Sequence, residues 1–420
     1  MGTATALLAF TSGAGAALAA PGDVSNSSGQ FLSGSLFNLP LSAALDLSAE
    51  TASNNGTQDP VVNQDDIDLT ALSTLNVQLG GGLQLPINVA DAGVLGQYAA
   101  ANPDGSSVGA SGAIGSNGQI GVGPTGGTGE LSLSLGGLLG GLGLNPAYLS
   151  EVAGLEVSIG AVSARASQEA PAGPVGSYTI ADADIEFDSA TLGNVVTGIN
   201  NTVTALQTAL NGLEVGLEAR LLQIPGLGLG LDASVNVAVP ALAPLVSNLL
   251  TQNLSSGGVT INLSTGVVSV DLATLNNLNN LPPSTNLLGA PQLTAITNNI
   301  TSLVAGLVNS VGATLQSTIN GIAVTGGVTA LTIPVLSINT SIGGLLANSS
   351  AGISLLGLNL PVGGILTALL GPITTGGLGN VLTSLTTTVV NPVINLVVPA
   401  ISPVLNAAIG LTANVQSTTA

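Results

Sequence analysis

Between residues 177 and 192 the chain reads SYTIADADIEFDSATL, and apolar and acidic positions alternate along it. Ala181, Ala183, Ile185 and Phe187 interleave with Asp182, Asp184, Glu186 and Asp188. A strand turns successive side chains to opposite faces, so this spacing predicts a half-buried strand with four carboxylates on its outer side. LEVSIGAVSARA at 155–166 alternates in the same way through Leu155, Val157, Ile159 and Ala161. The Pro/Gly loop EAPAGPVGS joins the two runs as an antiparallel pair. The period then changes. Leu192, Val196, Ile199, Val203, Leu206, Leu210 and Leu213 step by four and three, which makes one apolar stripe along a helix. Ser189 or Thr191 is positioned to cap its start and Gly212 to end it.

Period two returns in LEVGLEARLLQ at 213–223 and LGLDASVNVAV at 229–239, both read as strands. Pro240 opens a short helix to Leu250, and VTINLSTGVVSVDL predicts a hairpin turning at Thr265 and Gly266. A second long stripe runs through Leu293, Ile296, Ile300, Leu303, Leu307, Val311, Leu315 and Ile319, a helix of about thirty residues. The strands IAVTGGVTALTIPVLSIN and ISLLGLNLPV follow. A third helical stripe starts near Leu378 and runs into Pro392, Pro399 and Pro403, prolines that break the most apolar segment as a membrane span. Upstream, 53–68 reads as an acidic, turn-rich loop, and 102–129 as short strands and tight turns in a Gly/Ser-rich background.

The expected fold class is α+β: mostly antiparallel β-sheet with two or three long amphipathic helices packed on it, and a helix-then-strands unit that recurs. The expected organisation is a signal peptide at 1–19, an acidic β/loop region at 20–150, and α+β domains at 151–290 and 291–420, the last nearly uncharged. The signal peptide rests on the apolar stretch from Ala4 to Phe10 and on Ala17-Leu18-Ala19, which satisfies the A-x-A rule, although a cationic leader is missing.

Charge changes this picture most. Of 420 residues only 5% are charged, 21 acids against Arg165 and Arg220, with no Lys, His or Cys and a net charge of −19. All but one of the acids precede residue 233, and Asp271 is the exception. Nucleic-acid binding and anionic membrane surfaces are disfavoured for want of cations. The missing Cys and His exclude disulfides, thiolate zinc sites and every Ser-His-Asp or Cys-His catalytic system.

Four segments carry a likeness: APGDVSNSSGQFLSGSLF, GQYAAANPDGSSVGASGAI, the GAVSARA and YTIADADIEF pair, and LPPSTNLL. Together they resemble the choice-of-anchor G family of secreted actinobacterial surface proteins. The resemblance implies export and display on the cell envelope, and brings no catalytic motif with it. The sequence departs from that family at its defining feature, because LTANVQSTTA has no sortase-type motif, hydrophobic tail or basic stop.

The candidate chemistry is a calcium site at Asp182, Asp184 and Glu186, since calcium takes six to eight oxygens in irregular geometry. The alternative is a plain solvated face, with Arg165 on the neighbouring strand relieving one charge. A second acidic group, Asp65, Asp66 and Asp68 with Asp59 nearby, is open to the same two readings. Few charges are left to guard the sheet edges after residue 232. Either helices cover those edges, or they pair with another copy or an envelope component. The expected function is a non-catalytic secreted or cell-surface protein with a structural or adhesive role, its partners being envelope components or further copies of itself. The alternatives are a binding protein enclosing a lipid or other apolar ligand between helices and sheet and, more remotely, a carboxylate-based glycan hydrolase.

Overall fold

The computed structural model describes residues 20–29, 35–36, 39–40, 49–66, 87–88, 95–120, 130–136, 139–140, 143–169, 175–222, 231–279, 281–282, 285–330, 333–347, 352–355, 381–410 and 412–413. The expected signal peptide at 1–19 lies outside them, as does Asp68. The fold is α+β, with antiparallel sheets and a few long helices.

The first strands are β1 (Ser25–Gly29), β2 (Glu50–Asn54), β3 (Val61–Asp66), β4 (Gly96–Ala101) and β5 (Ser107–Gly112). The expected loop at 53–68 is therefore largely β2, a turn and β3. Buried Asn54 builds the turn: its amide donates to the carbonyls of Gln58 (3.1 Å) and Asp59 (2.9 Å), and its Oδ1 accepts from Gly56 N–H. β1 and β2 pair with each other and lie on β4 and β5, where Ala52 packs on Ala99 and Ala101. A Cβ at Gly29 would overlap the carbonyls of Ala110 and Tyr98, and one at Gly109 the carbonyl of Ser28. Backbone meets backbone here, so the layers lie closer than the roughly 10 Å usual for stacked sheets.

Next come β6 (Glu130–Ser134), β7 (Ala153–Gly160), β8 (Val162–Gln168), β9 (Val175–Ile180) and β10 (Ala183–Asp188). The expected antiparallel pair forms, but it divides between two sheets. β7 pairs with β10 and β8 with β9, and the corner is held by Gly160 N–H to Asp182 O and Ala181 N–H to Ala161 O, both 3.0 Å. The outer half joins a five-stranded sheet, β9-β8-β5-β4-β3.

Helix α1 (Ala190–Gly193) is capped by Ser189, whose Oγ accepts from Leu192 N–H. Buried Glu151 completes that cap: its carboxylate accepts from Ser189 Oγ (2.7 Å), Thr191 N–H (3.1 Å) and Thr191 Oγ1 (2.8 Å). A carboxylate at a helix start is favourable because the first N–H groups lack partners inside the helix. Helix α2 (Val195–Asn211) follows, burying Ile199, Val203, Leu206 and Leu210 as the stripe requires.

Gly212 does not stop the helical path. It is right-handed, and α3 (Leu213–Leu221) begins at once where a strand was expected. Leu213, Leu217 and Leu221 are spaced by four as well as by alternation, and the helix buries all three while leaving Val215 exposed. Helix α3 packs on β11 (Leu231–Val237), and Glu218 Oε1 accepts Val235 N–H at 2.9 Å, covering that strand's edge.

Then follow α4 (Ala243–Leu250), β12 (Leu254–Ser256), β13 (Val259–Ile261), β14 (Val267–Asp271) and α5 (Leu272–Leu275). β13 and β14 form the expected hairpin, with Gly266 at a φ of 83°. The seven-stranded sheet runs β12-β13-β14-β10-β7-β6 and ends on Ile87–Asn88. Helix α6 (Ala290–Gly321) is 32 residues long and leads into β15 (Ala323–Ala330), β16 (Ile333–Ser341) and β17 (Ile353–Leu355), which with β11 form a four-stranded sheet.

The last helix, α7 (Val381–Ala408), passes through all three prolines instead of breaking at them. Proline lacks an N–H, and its ring collides with the carbonyl four residues back. The helix widens before two of them: Asn391 N–H donates to Thr386 O and Val398 N–H to Val393 O, each five residues back and each on the residue preceding a proline. These π turns move the obstructing carbonyls aside. Among the described residues, α7 is one helix long and apolar enough to cross a membrane. In this fold its buried face, Val381, Leu385, Val389, Val393, Val397 and Ile401, packs on α2 and α6. The contacts are close: a Cβ at Gly312 would lie 3.1 Å from Leu382 Cδ1, and one at Gly198 3.4 Å from Val389 Cγ2. One apolar cluster runs from Leu95 to Ile409 and draws on all three expected segments after the leader.

Polar side chains cover parts of some edges. Asn279 pairs with both backbone groups of Ile180 on β9, at 2.9 and 3.1 Å, and Asn299 holds the β12–β13 turn through Gly257 O. Edge strand β3, exposed along almost its whole length, ends in Asp65 and Asp66, which as neighbours on a strand point to opposite faces. They guard that edge by charge.

Candidate metal centre

The acids of the 182–188 run lie on the outer face of the seven-stranded sheet because their neighbours fill its inner face. Ala183, Ile185 and Phe187 are buried, Asp184 is half-buried, and Asp182, Glu186 and Asp188 are exposed. β10 is flanked by β7 and β14, so the register decides which groups meet. Asp184 stands opposite Ser158 on one side and Asp271 on the other; Glu186 stands opposite Glu156 and Ser269. Two like-charged cross-strand pairs result, a destabilising arrangement unless something screens them.

Carboxylate oxygens of Asp182, Asp184 and Asp271 all lie within 4.8 Å of one another. Unit charges 4 Å apart repel by about 1 kcal/mol in bulk water and about 4 kcal/mol at an effective dielectric constant of 20. Backbone and hydroxyl donors hold Asp182 and Asp271 in place. Asp182 Oδ1 accepts from Ala183 N–H at 2.8 Å. Asp271 caps α5, accepting from Thr274 N–H at 2.9 Å and Thr274 Oγ1 at 2.5 Å.

The trio differs from the one expected. Glu186 is two residues, about 7 Å, further along the strand, and its Oε2 accepts from Ser269 Oγ at 3.1 Å. Asp271 takes the third place. Sequence spacing gave no sign of it, since only the β10–β14 pairing joins it to Asp184; its one trace is that it is the lone acid after residue 232. Arg165 does not relieve the acids. The corner at Ala161 carries it into the five-stranded sheet, opposite Ser177 and Ala110, where its Nη1 donates to Ser167 Oγ at 3.0 Å.

Beside the trio is an open cleft of about 430 Å³, lined by Asp184, Asp271, Ser255, Thr260, Ser269 and the Gly257–Gly258 turn. Val259 lines it as well, and the cleft's polar side chains all offer oxygen. An all-oxygen donor set of three carboxylates with hydroxyls and water nearby suits calcium, not a metal that favours imidazole or thiolate. Asp184 and Asp271 are neighbours on one sheet face instead of facing each other across a substrate, and Asp271 is tied to Thr274; that geometry does not suit a pair of glycosidase carboxylates.

Asp104, on the β4–β5 turn, has a pKa held below the ordinary carboxylate value. The Ser106 hydroxyl is the main cause and the Ser106 N–H the second, at 2.6 and 2.9 Å. It lies apart from the trio.

No curated protein and no solved structure matches the chain. A family model, described as a domain of unknown function, matches residues 27–420, so the chain belongs to the DUF8394 family.

Proposed function

We propose that this protein is an exported, non-catalytic component of the cell envelope, structural or adhesive in role, whose acidic sheet face holds calcium. The observation that carries the reading is the separation of charge between two faces. The outer side of the seven-stranded sheet bears Glu156, Asp182, Asp184, Glu186, Asp188 and Asp271. The exposed stripe of α6 bears only small neutral residues, among them Thr294, Asn298, Ser302, Gly306, Asn309 and Ser317. The absence of His, Cys and Lys throughout the sequence adds support, as does the likeness to the choice-of-anchor G family. Because the acids are gathered on a sheet face and edge strand β3 is guarded by Asp65 and Asp66, adhesion would use faces rather than strand addition, with calcium bridging acids on this sheet to acids of an envelope polymer or a second copy.

The test is fractionation of cells producing the full-length chain, with and without a calcium chelator, while following its apparent mass. The reading expects an N-terminally processed protein in the envelope or medium fraction, partly released by the chelator. An unprocessed protein confined to the cytosol would overturn it.

A further inference from the structure

The cleft beside the carboxylate trio has a wall whose hydrogen-bonding capacity is one-sided. Ser255, Thr260, Ser269 and Glu186 are successive cross-strand partners on β12, β13, β14 and β10, so they form one row across the outer sheet face. Strands lie about 4.8 Å apart, which makes the row roughly 14 Å long. Asp271 and Asp184 are partners in the row beside it. Most donors of the first row are already spent. Ser255 and Thr260 share one hydrogen bond at 2.9 Å, and Ser269 gives its proton to Glu186 at 3.1 Å. A hydroxyl has one proton and two lone pairs, so these four side chains keep a single proton to give and several lone pairs to fill.

Such a wall suits a ligand rich in O–H groups. The cleft is lined by no cationic side chain, so an anion can enter it only with a metal. Its apolar residue, Val259, is buried and offers no floor for a greasy ligand. Calcium at the trio would also be short of partners. The ion takes six to eight oxygens, and one from each of Asp182, Asp184 and Asp271 meets half of that at most. Asp184 and Asp271 line the cleft, so a molecule seated there can reach the ion. The volume, about 430 Å³, falls in the roughly 300–1,000 Å³ range of small-ligand sites.

We propose that this cleft binds an acidic polysaccharide of uronic-acid type, an inference that rests on the calcium reading above and names its partner. The sugar carboxylate completes the coordination of calcium held by the trio, and the ring hydroxyls donate to Ser255, Thr260 and Ser269. Every unit of such a polymer carries both groups, so weak single contacts add up where several copies of the protein meet one chain.

The experiment is calorimetric titration of trigalacturonate into the full-length protein in millimolar calcium, in millimolar magnesium and in chelator, with maltotriose as the neutral control. The heat of calcium with the sugar alone is subtracted. Calcium is first titrated into each protein without sugar, so that failure of the metal site is seen separately. The wild type is expected to bind trigalacturonate in calcium only, and to ignore maltotriose. A Ser255→Ala, Thr260→Val double variant leaves all three carboxylates in place. It should keep its calcium heat and bind the acidic trisaccharide about three- to tenfold more weakly. Calcium heat without trisaccharide heat, or equal sugar binding by variant and wild type, overturns the proposal and leaves the calcium reading standing. Trigalacturonate binding in chelator, or equal binding of maltotriose, overturns it too. Calcium-driven dimerisation in light scattering with no sugar heat would assign the bridge to a second copy instead, and no calcium heat at all would end both readings. Should the double variant fail to fold, the comparison of calcium with chelator decides.

Discussion

The layer where β1 and β2 lie on β4 and β5 is assembled on a different plan from the helix-and-sheet core beneath α2, α6 and α7. The first is made of Ala, Gly and Ser, with every residue of β4 buried and glycines pressed against carbonyls of the facing strand. The second is made of Leu, Val and Ile, with Ile199, Ile300, Val393 and Phe187 at 0–1% exposure. Each small residue removes little apolar area, so the sandwich depends on close backbone approach and on turns such as the one built by Asn54. The aliphatic core depends on side-chain volume. A chain with almost no aromatic residues has both routes to a dry interior, and they should fail in opposite ways.

The core should respond most to lost volume. Ile300→Ala empties space between α6 and its neighbours and is expected to cost about 2–5 kcal/mol in a urea melt. The sandwich should respond to added volume: Gly109→Val drives side-chain carbons into the Ser28 carbonyl, at a cost of about 1–3 kcal/mol or release of β1 and β2. If Gly109→Val were silent, the claim of backbone-to-backbone packing would be wrong. Glu151→Ala lies between the two cases, since it removes the acceptor for Ser189 and Thr191 in a buried place. It should cost about 1–3 kcal/mol, with Glu151→Gln recovering part of the loss.

The smallest effect concerns pH. The Ser106 hydrogen bonds favour ionised Asp104, so its folded pKa lies below the ordinary value of about 3.9. The stabilisation is complete above the ordinary value and is lost as pH falls through the folded one. Because Asp104 is at the surface the effect on folding is slight. It should appear in a carboxyl NMR titration, with the Asp104 midpoint rising in Ser106→Ala.

Much of the fold could be read from periodicity because burial is one-sided in most elements. The β10 alternation, the α2 and α6 stripes and the hairpin at Gly266 each agree with what their residues predict. Departures arose where a local pattern fitted two structures. Leu213, Leu217 and Leu221 fit a strand or a helix equally, and packing against β11 selected the helix. The prolines of α7 looked like breaks because widening by π turns leaves no mark in the apolar pattern. At the candidate centre, Asp182 and Asp184 were legible from their spacing. Asp271 was not, since a register between strands distant in sequence is a tertiary fact. Arg165 was misplaced for a related reason: nothing local announces that a long strand will turn from one sheet into another at Ala161.

The account stands or falls on whether the acids gathered by β10 and β14 hold a cation. Calorimetric titration of calcium into the full-length protein, alongside Asp271→Asn, tests this most directly, because asparagine keeps the cap on α5 while removing one charge. The account predicts binding heat and a raised melting temperature at millimolar calcium in the wild type, both lost in Asp271→Asn. No heat and no shift in the wild type, or equal responses from the two proteins, would contradict it.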